Sequence, residues 1–156
     1  MIADTPTALR LNRVVKADQE TAFDAWTQPA QIRQWACPEG LRVDESEVDL
    51  TVGGGYKLRM TNDEGLTHTA VGTYREIDRP GRLVYTWDWL EDDHKVGETL
   101  VTVEFRPHAD GTEVVLTHEG FPAAEATEAH VEGWTSCLEK FERHLAPVAS
   151  PVAVDA

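Results

Sequence analysis

The chain has 156 residues, 41% of them hydrophobic, and a formal net charge of −14. That length suits one domain, and a domain of that size buries roughly 70% of the surface its unfolded chain exposes, so a core forms without disulfide or metal staples. The negative charge argues against nucleic acid and anionic membrane surfaces, which demand a cationic face.

Met1 to Leu9 lacks a basic stretch followed by an apolar run, so no signal peptide is read there, and a cytoplasmic location is the expectation. No apolar stretch approaches the length that spans a bilayer, so membrane insertion is not expected. Cys37 and Cys137 are too far apart for a small disulfide scaffold and read as free thiols. Residues 1–7 and 147–156 read as flexible tails around a single domain over 8–146.

Ala8 to Lys16 reads as a first strand. Asp18 is a good N-cap for a short helix carrying Phe23 and Trp26 as an i, i+3 apolar pair. Pro29 suits the first position of a second short helix, whose buried stripe is Ile32 and Trp35 and which Pro38 and Gly40 close.

From Leu41 to His118 the period becomes two. Leu41 to Leu50 is a strand, after which Gly53, Gly54 and Gly55 break or bulge the chain, a bulge that bends the sheet being the preferred reading. Tyr56, Leu58 and Met60 alternate against Lys57 and Arg59. A turn at Asn62 to Gly65 precedes the strand Thr67 to Ile77, with Ala70, Gly72 and Tyr74 on one side. Asp78 to Gly81 turns the chain again at Pro80. Leu83, Tyr85, Trp87 and Trp89 share one face of the next strand, and Glu91 to Lys95 is a polar connection. Val101, Val103 and Phe105 point inward from the strand that follows. After a hairpin at His108 to Gly111, so do Val114, Leu116 and His118.

Ala123 to Leu145 has apolar or pocket-compatible residues at Ala126, His130, Gly133, Trp134, Cys137, Leu138, Phe141 and Leu145, the spacing of one face of an α-helix. Glu139 and Arg143 are placed for an i, i+4 pair. Gly133 in mid-helix costs about 1 kcal/mol relative to alanine, which predicts a close approach by a neighbour or a ligand there. The fold class is therefore α+β: an antiparallel meander of one strand and about six more, with one long helix to cover it.

Ala22 to Thr27 (AFDAWT) with Pro29, Ile32 and Trp35; Val52-Gly53-Gly54 before Tyr56; Gly72-Thr73-Tyr74; Arg82 to Trp87 (RLVYTW); His118 to Phe121 (HEGF); and Gly133-Trp134 occur in an order that resembles the START-like (SRPBCC) superfamily. Within it the chain looks like the branch named for the homologue of the heat-shock-protein ATPase activator (AHSA-type), over roughly Leu9 to Leu145. The resemblance implies a helix-grip fold, a curved sheet wrapped around a C-terminal helix with a cavity between them. Superfamily members bind lipids, polyketides and other apolar molecules, and some catalyse cyclisation or dehydration. The branch often has a second aromatic after the tryptophan of the second short helix. Here Ala36 and Cys37 follow Trp35, which implies a wider cavity mouth.

Under this fold the aromatic faces read either as ordinary core or as the wall of an apolar pocket. The candidate ligand-binding set is Trp35, Tyr56, Leu58, Tyr74, Tyr85, Trp87, Trp89, Val101, Leu116, His118, Phe121, His130, Gly133, Trp134 and Leu138. His68, His118 and His130 are the inward-capable titrating groups, and His118 and His130 are the weak candidates for catalysis, each against the commoner reading of a satisfied structural histidine. Asp88 and Glu76 read as solvent-facing.

No HExxH or CxxC spacing points to a metal, no cofactor is implied, and His94 and His108 read as solvated loop residues. Gly53 to Gly55 precede a strand and lack a lysine, so they are not a phosphate loop. Cys37 would be reactive only if exposed near the mouth, and nothing basic is expected to adjoin it and lower its pKa. The function expected is binding of an aromatic, polycyclic or lipid-like molecule. An enzyme using the same cavity is the alternative. A chaperone-interacting module is disfavoured, for want of an evident partner-binding segment. A homodimer stays open.

Overall fold

The structure, a computed structural model, describes residues 7–91 and 96–146. His94 and all of the expected tails except Thr7 lie outside the described residues. The element order is β1 (Ala8–Val15), α1 (Gln19–Thr27), α2 (Pro29–Trp35), β2 (Arg42–Val48), β3 (Gly55–Thr61), β4 (Thr67–Asp78), β5 (Arg82–Trp89), β6 (Thr99–His108), β7 (Gly111–Glu119) and α3 (Ala124–Leu145). One seven-stranded sheet runs β1-β7-β6-β5-β4-β3-β2, antiparallel throughout, as the alternating pattern and short turns require. Among the described residues no helix is long and apolar enough to cross a membrane.

Local chemistry sets the boundaries. Asp18 Oδ1 accepts the Thr21 amide at 2.9 Å and caps α1, and Pro29 opens α2 without losing an intrahelical bond. Asn62 Oδ1 accepts the amides of Glu64 and Leu66, closing the β3–β4 turn. Tyr85 pairs with Tyr74 on one side and Val101 on the other, and Val101 with His118, so these four residues cross the sheet in one row. Val103, Phe105, Val114 and Leu116 beside them are fully buried. Val84 and Thr86, on the other face of β5, are buried too.

Three sequence expectations change. Gly53 (φ +90°) and Gly54 lie in the turn between β2 and β3, where Gly53 N–H donates to Tyr74 O and Gly54 O accepts from Tyr74 N. They are not a bulge. The sheet's register shifts lie at Val43/Glu45 and Tyr74/Glu76. Arg143 reaches across to Glu39 at 3.0 Å in place of the expected helical partner Glu139, drawn by the loop that follows α2.

At Gly133 the neighbour half of the expectation falls, because a Cβ there would meet only Pro38 Cγ at 3.7 Å, an ordinary contact. The glycine that a neighbour does require is Gly72, where a Cβ would lie 1.9 Å from Thr86 O on β5. Gly72→Ala is therefore expected to lower stability by about 3 kcal/mol through overpacking. Gly133→Ala is expected to raise it by about 0.5–1 kcal/mol through helix propensity. Urea titrations of the two variants check this: equal and opposite signs from those stated would overturn the packing described.

Candidate functional site

The concave face is not evenly covered. α3 packs against β1 and α2, and Arg13 on β1 binds Glu142 near the end of α3 at 2.8 Å. On that side the space under the helix is filled by Val103, Phe105, Val114, Leu116, Leu138 and Phe141. On the other side a cavity of ≈ 360 Å³ remains. Its wall comes from α1 and α2 (Trp26, Ile32, Trp35, with Ala36 and Pro38 after them), from β2 to β5, and from α3. No residue of β1, β6 or β7 takes part.

β3 contributes Tyr56, Leu58 and Met60, β4 contributes His68 and Tyr74, and β5 contributes Tyr85, Trp87 and Trp89. α3 closes the space with Ala126, Ala129, His130, Gly133, Trp134 and Cys137. Of the predicted set, Trp35, Tyr56, Leu58, Tyr74, Tyr85, Trp87, Trp89, His130, Gly133 and Trp134 line the cavity. Val101, Leu116, His118, Phe121 and Leu138 do not, because they belong to the filled side. Met60, Ala126 and Cys137 follow from the same periodicities that marked their neighbours. Trp26 and Ile32 lie on the apolar stripes already read for the two short helices, whereas Val48, Val96 and Ala129 depend on packing that periodicity does not report.

Ring contacts build the wall. Tyr56, Tyr74 and Tyr85 form a triangle with centroids 5.2–5.9 Å apart. Trp87 lies 5.3 Å from both Trp89 and Trp134. Trp26 anchors the opposite corner, 4.5 Å from Trp35 and 5.0 Å from Phe141, with its indole N–H donating to the Tyr85 hydroxyl at 3.1 Å. The Tyr56 hydroxyl donates to Thr86 O at 2.5 Å. Among the described residues no Lys, Arg, Asp or Glu lines the cavity.

Between α3 and the loop after α2 the cavity adjoins a second depression. Pro38, Ala129 and Gly133 line both the cavity and a shallow outer depression bordered by Glu39, Glu132 and Ser136. Beyond Gly133 the loop is fastened to α3: Glu39 N–H donates to Ser136 Oγ at 2.8 Å and Lys140 Nζ to Cys37 O at 2.8 Å. Ala36 sits in the wall. Cys37 does not line the cavity. It is buried, donates to Leu41 O and lies 3.2 Å from Lys140 Nζ, so a basic group does adjoin it, supplied from a hundred residues away. Both cysteines are free and buried, and burial pushes the Cys137 thiol well up.

His118 is wholly buried in a relay. Trp134 Nε1–H donates to its Nδ1 at 3.0 Å. Its Nε2, which therefore carries the proton, meets Thr99 Oγ1 at 2.7 Å, and Thr99 donates onward to Trp87 O at 2.6 Å. Burial, with His130 nearby, pulls its pKa down to about 2, so the ring stays neutral. His130 faces the cavity, but Nδ1 donates to Ala126 O at 2.8 Å and Nε2 accepts from Trp89 Nε1 at 3.2 Å. Burial lowers its pKa as well. His68 stands edge-on to Trp89, and Asp88, expected in solvent, is half-buried and accepts the amides of Trp89 and Val96. Glu76 is exposed and pairs with Arg82.

Residues 16–146 match the family model described as Activator of Hsp90 ATPase homolog 1-like protein. Among solved structures, a protein from Chromobacterium violaceum is 28% identical with a TM-score of 0.84, covering 91% of this chain and 99% of that one. The AHSA1 protein from Silicibacter pomeroyi is 32% identical with a TM-score of 0.80, covering 88% and 96%. A Rhodobacter sphaeroides protein is 28% identical, TM-score 0.76, covering 89% of each. No curated protein matches the chain.

The neutral imidazoles set a pH dependence. An unfolded histidine titrates near 6.5 while folded His118 resists protonation down to about 2. Below 6.5 the unfolded state binds the proton that the folded state does not, so stability falls as pH falls. Between pH 7 and pH 5 His118 alone is expected to remove about 2 kcal/mol, with His130 adding to it. Urea unfolding at the two pH values checks this, and a stability unchanged at pH 5 would mean that the ring charges in place.

Proposed function

The chain belongs to the Activator of Hsp90 ATPase homolog 1-like family, and with that as premise we propose that it binds an apolar, aromatic, polycyclic or lipid-like small molecule between the sheet and α3. The observation that carries this reading is the ≈ 360 Å³ cavity on the β2–β5 side. Protein interiors pack like organic crystals and hold few voids larger than a water molecule. A void within the roughly 300–1,000 Å³ range of ligand sites, walled by aromatic rings, is the kind of space that a small guest fills.

Binding is better supported than chemistry. Catalysis by His130 would require a free ring nitrogen facing the guest, and both of its nitrogens are engaged. His118 lies outside the cavity wall. A chaperone-interacting role draws on the family description alone.

Saturable uptake of a neutral apolar fluorophore, N-phenyl-1-naphthylamine, tests the reading. Ala36→Phe puts a ring where the wall now has a methyl group, and Gly133→Leu narrows the seam beside Pro38. Wild type is expected to bind near one equivalent and each variant at least about tenfold more weakly, the loss of contact area that a blocked pocket implies. Equal uptake by wild type and both variants would move the site elsewhere.

A further inference from the structure

The cavity wall has polar groups, and they are unequally served. Of the five tryptophans, four donate their indole N–H to a protein acceptor: Trp26 to Tyr85 Oη, Trp35 to Ala25 O at 2.9 Å, Trp89 to His130 and Trp134 to His118. Trp87 Nε1 is buried without a partner. The acceptors near it are taken, since His118 Nδ1 and His130 Nε2 each receive a different indole.

The phenols repeat the imbalance. Tyr56 donates to Thr86 O. Tyr85 Oη accepts from Trp26 and keeps its own proton to give. Tyr74 is 4% exposed and lines the cavity, and among the described residues its hydroxyl has no hydrogen-bond partner. Tyr74 and Tyr85 are register partners on adjacent strands, so the two hydroxyl-bearing rings stand side by side, centroids 5.9 Å apart. Burial holds both phenols protonated, as donors.

The wall thus offers hydrogen-bond donors in excess of acceptors, and among the described residues it contains no lysine or arginine to neutralise an anion. We propose that the guest bears a neutral hydrogen-bond acceptor, a carbonyl-type oxygen on an aromatic or polycyclic frame, which takes the Tyr74 hydroxyl proton with Tyr85 beside it. This rests on the cavity being a binding site, as proposed above. A carboxylate would be stripped of water there with no lysine or arginine among the described residues to meet it. A plain hydrocarbon would fill the space and leave the donors unpaired, and a site with buried donors discriminates against a guest that cannot accept from them.

Three guests of one frame test this: fluorene, 9-fluorenone and fluorene-9-carboxylate, titrated calorimetrically into wild type and Tyr74→Phe. The expected result is fluorenone binding about tenfold tighter than fluorene, with the carboxylate weakest. Tyr74→Phe should collapse the fluorenone preference, and in wild type the carbonyl stretch of bound fluorenone should move below its position in hexane. Equal binding of fluorene and fluorenone, with an unshifted carbonyl, would overturn the acceptor proposal and leave the cavity reading standing. Preference for the carboxylate would overturn its neutrality. A fluorenone preference that survives Tyr74→Phe would take the donor role from Tyr74. Saturable binding of none of the three would overturn the cavity reading beneath it.

Discussion

Trp134 donates its indole proton to His118 at 3.0 Å, and through that bond α3 is fixed relative to the sheet. The same imidazole holds Thr99 on β6, and Thr99 holds the Trp87 carbonyl on β5, so one buried chain joins the helix to three adjacent strands. Every polar group in it is satisfied, which is the condition under which a buried network stabilises and specifies a geometry. Held at this point, α3 also packs along β1, where Arg13 meets Glu142, so it lies toward one side of the concave face. One side fills and the other does not. The cavity is the consequence of where the helix is fastened.

The two sides differ in chemistry for the same reason. The filled side carries valines, Leu116, Leu138 and phenylalanines, whose shapes interdigitate. The open side carries three tyrosines in mutual ring contact, Trp87 against Trp89, and Trp26 against Trp35, in edge-to-face and tilted geometries. Rings so braced keep the wall from collapsing into the void. The neutral imidazole of His130 completes it, with both nitrogens spent on Ala126 and Trp89.

Much of this was legible in the sequence. Strict alternation in Tyr56 to Met60 and Leu83 to Trp89 fixed which residues face inward, and the three-and-four spacing from Ala126 to Phe141 fixed the helix face. The family motifs supplied the helix-grip arrangement. What alternation could not report was which half of the inward face the helix covers, so Val101, Leu116, His118, Phe121 and Leu138 were grouped with residues that line the cavity. Period two says "inside" and is silent on "filled". Contacts between distant segments were equally out of reach: Lys140 beside Cys37 and Arg143 on Glu39 join residues that only the fold brings together. Three glycines in a row signal irregularity, and the choice of turn over bulge was made by Tyr74, which bonds to both Gly53 and Gly54.

The claim that organises all of this is that sheet and helix leave room and that the room is occupied in use. A crystal structure of the protein purified without unfolding measures both halves of that claim at once. The account predicts continuous density for an apolar guest between β3–β5 and α3, with an oxygen within hydrogen-bond distance of Tyr74. Rings of Tyr85, Trp87 and Trp134 packed against one another, with no space left for a guest, would contradict it.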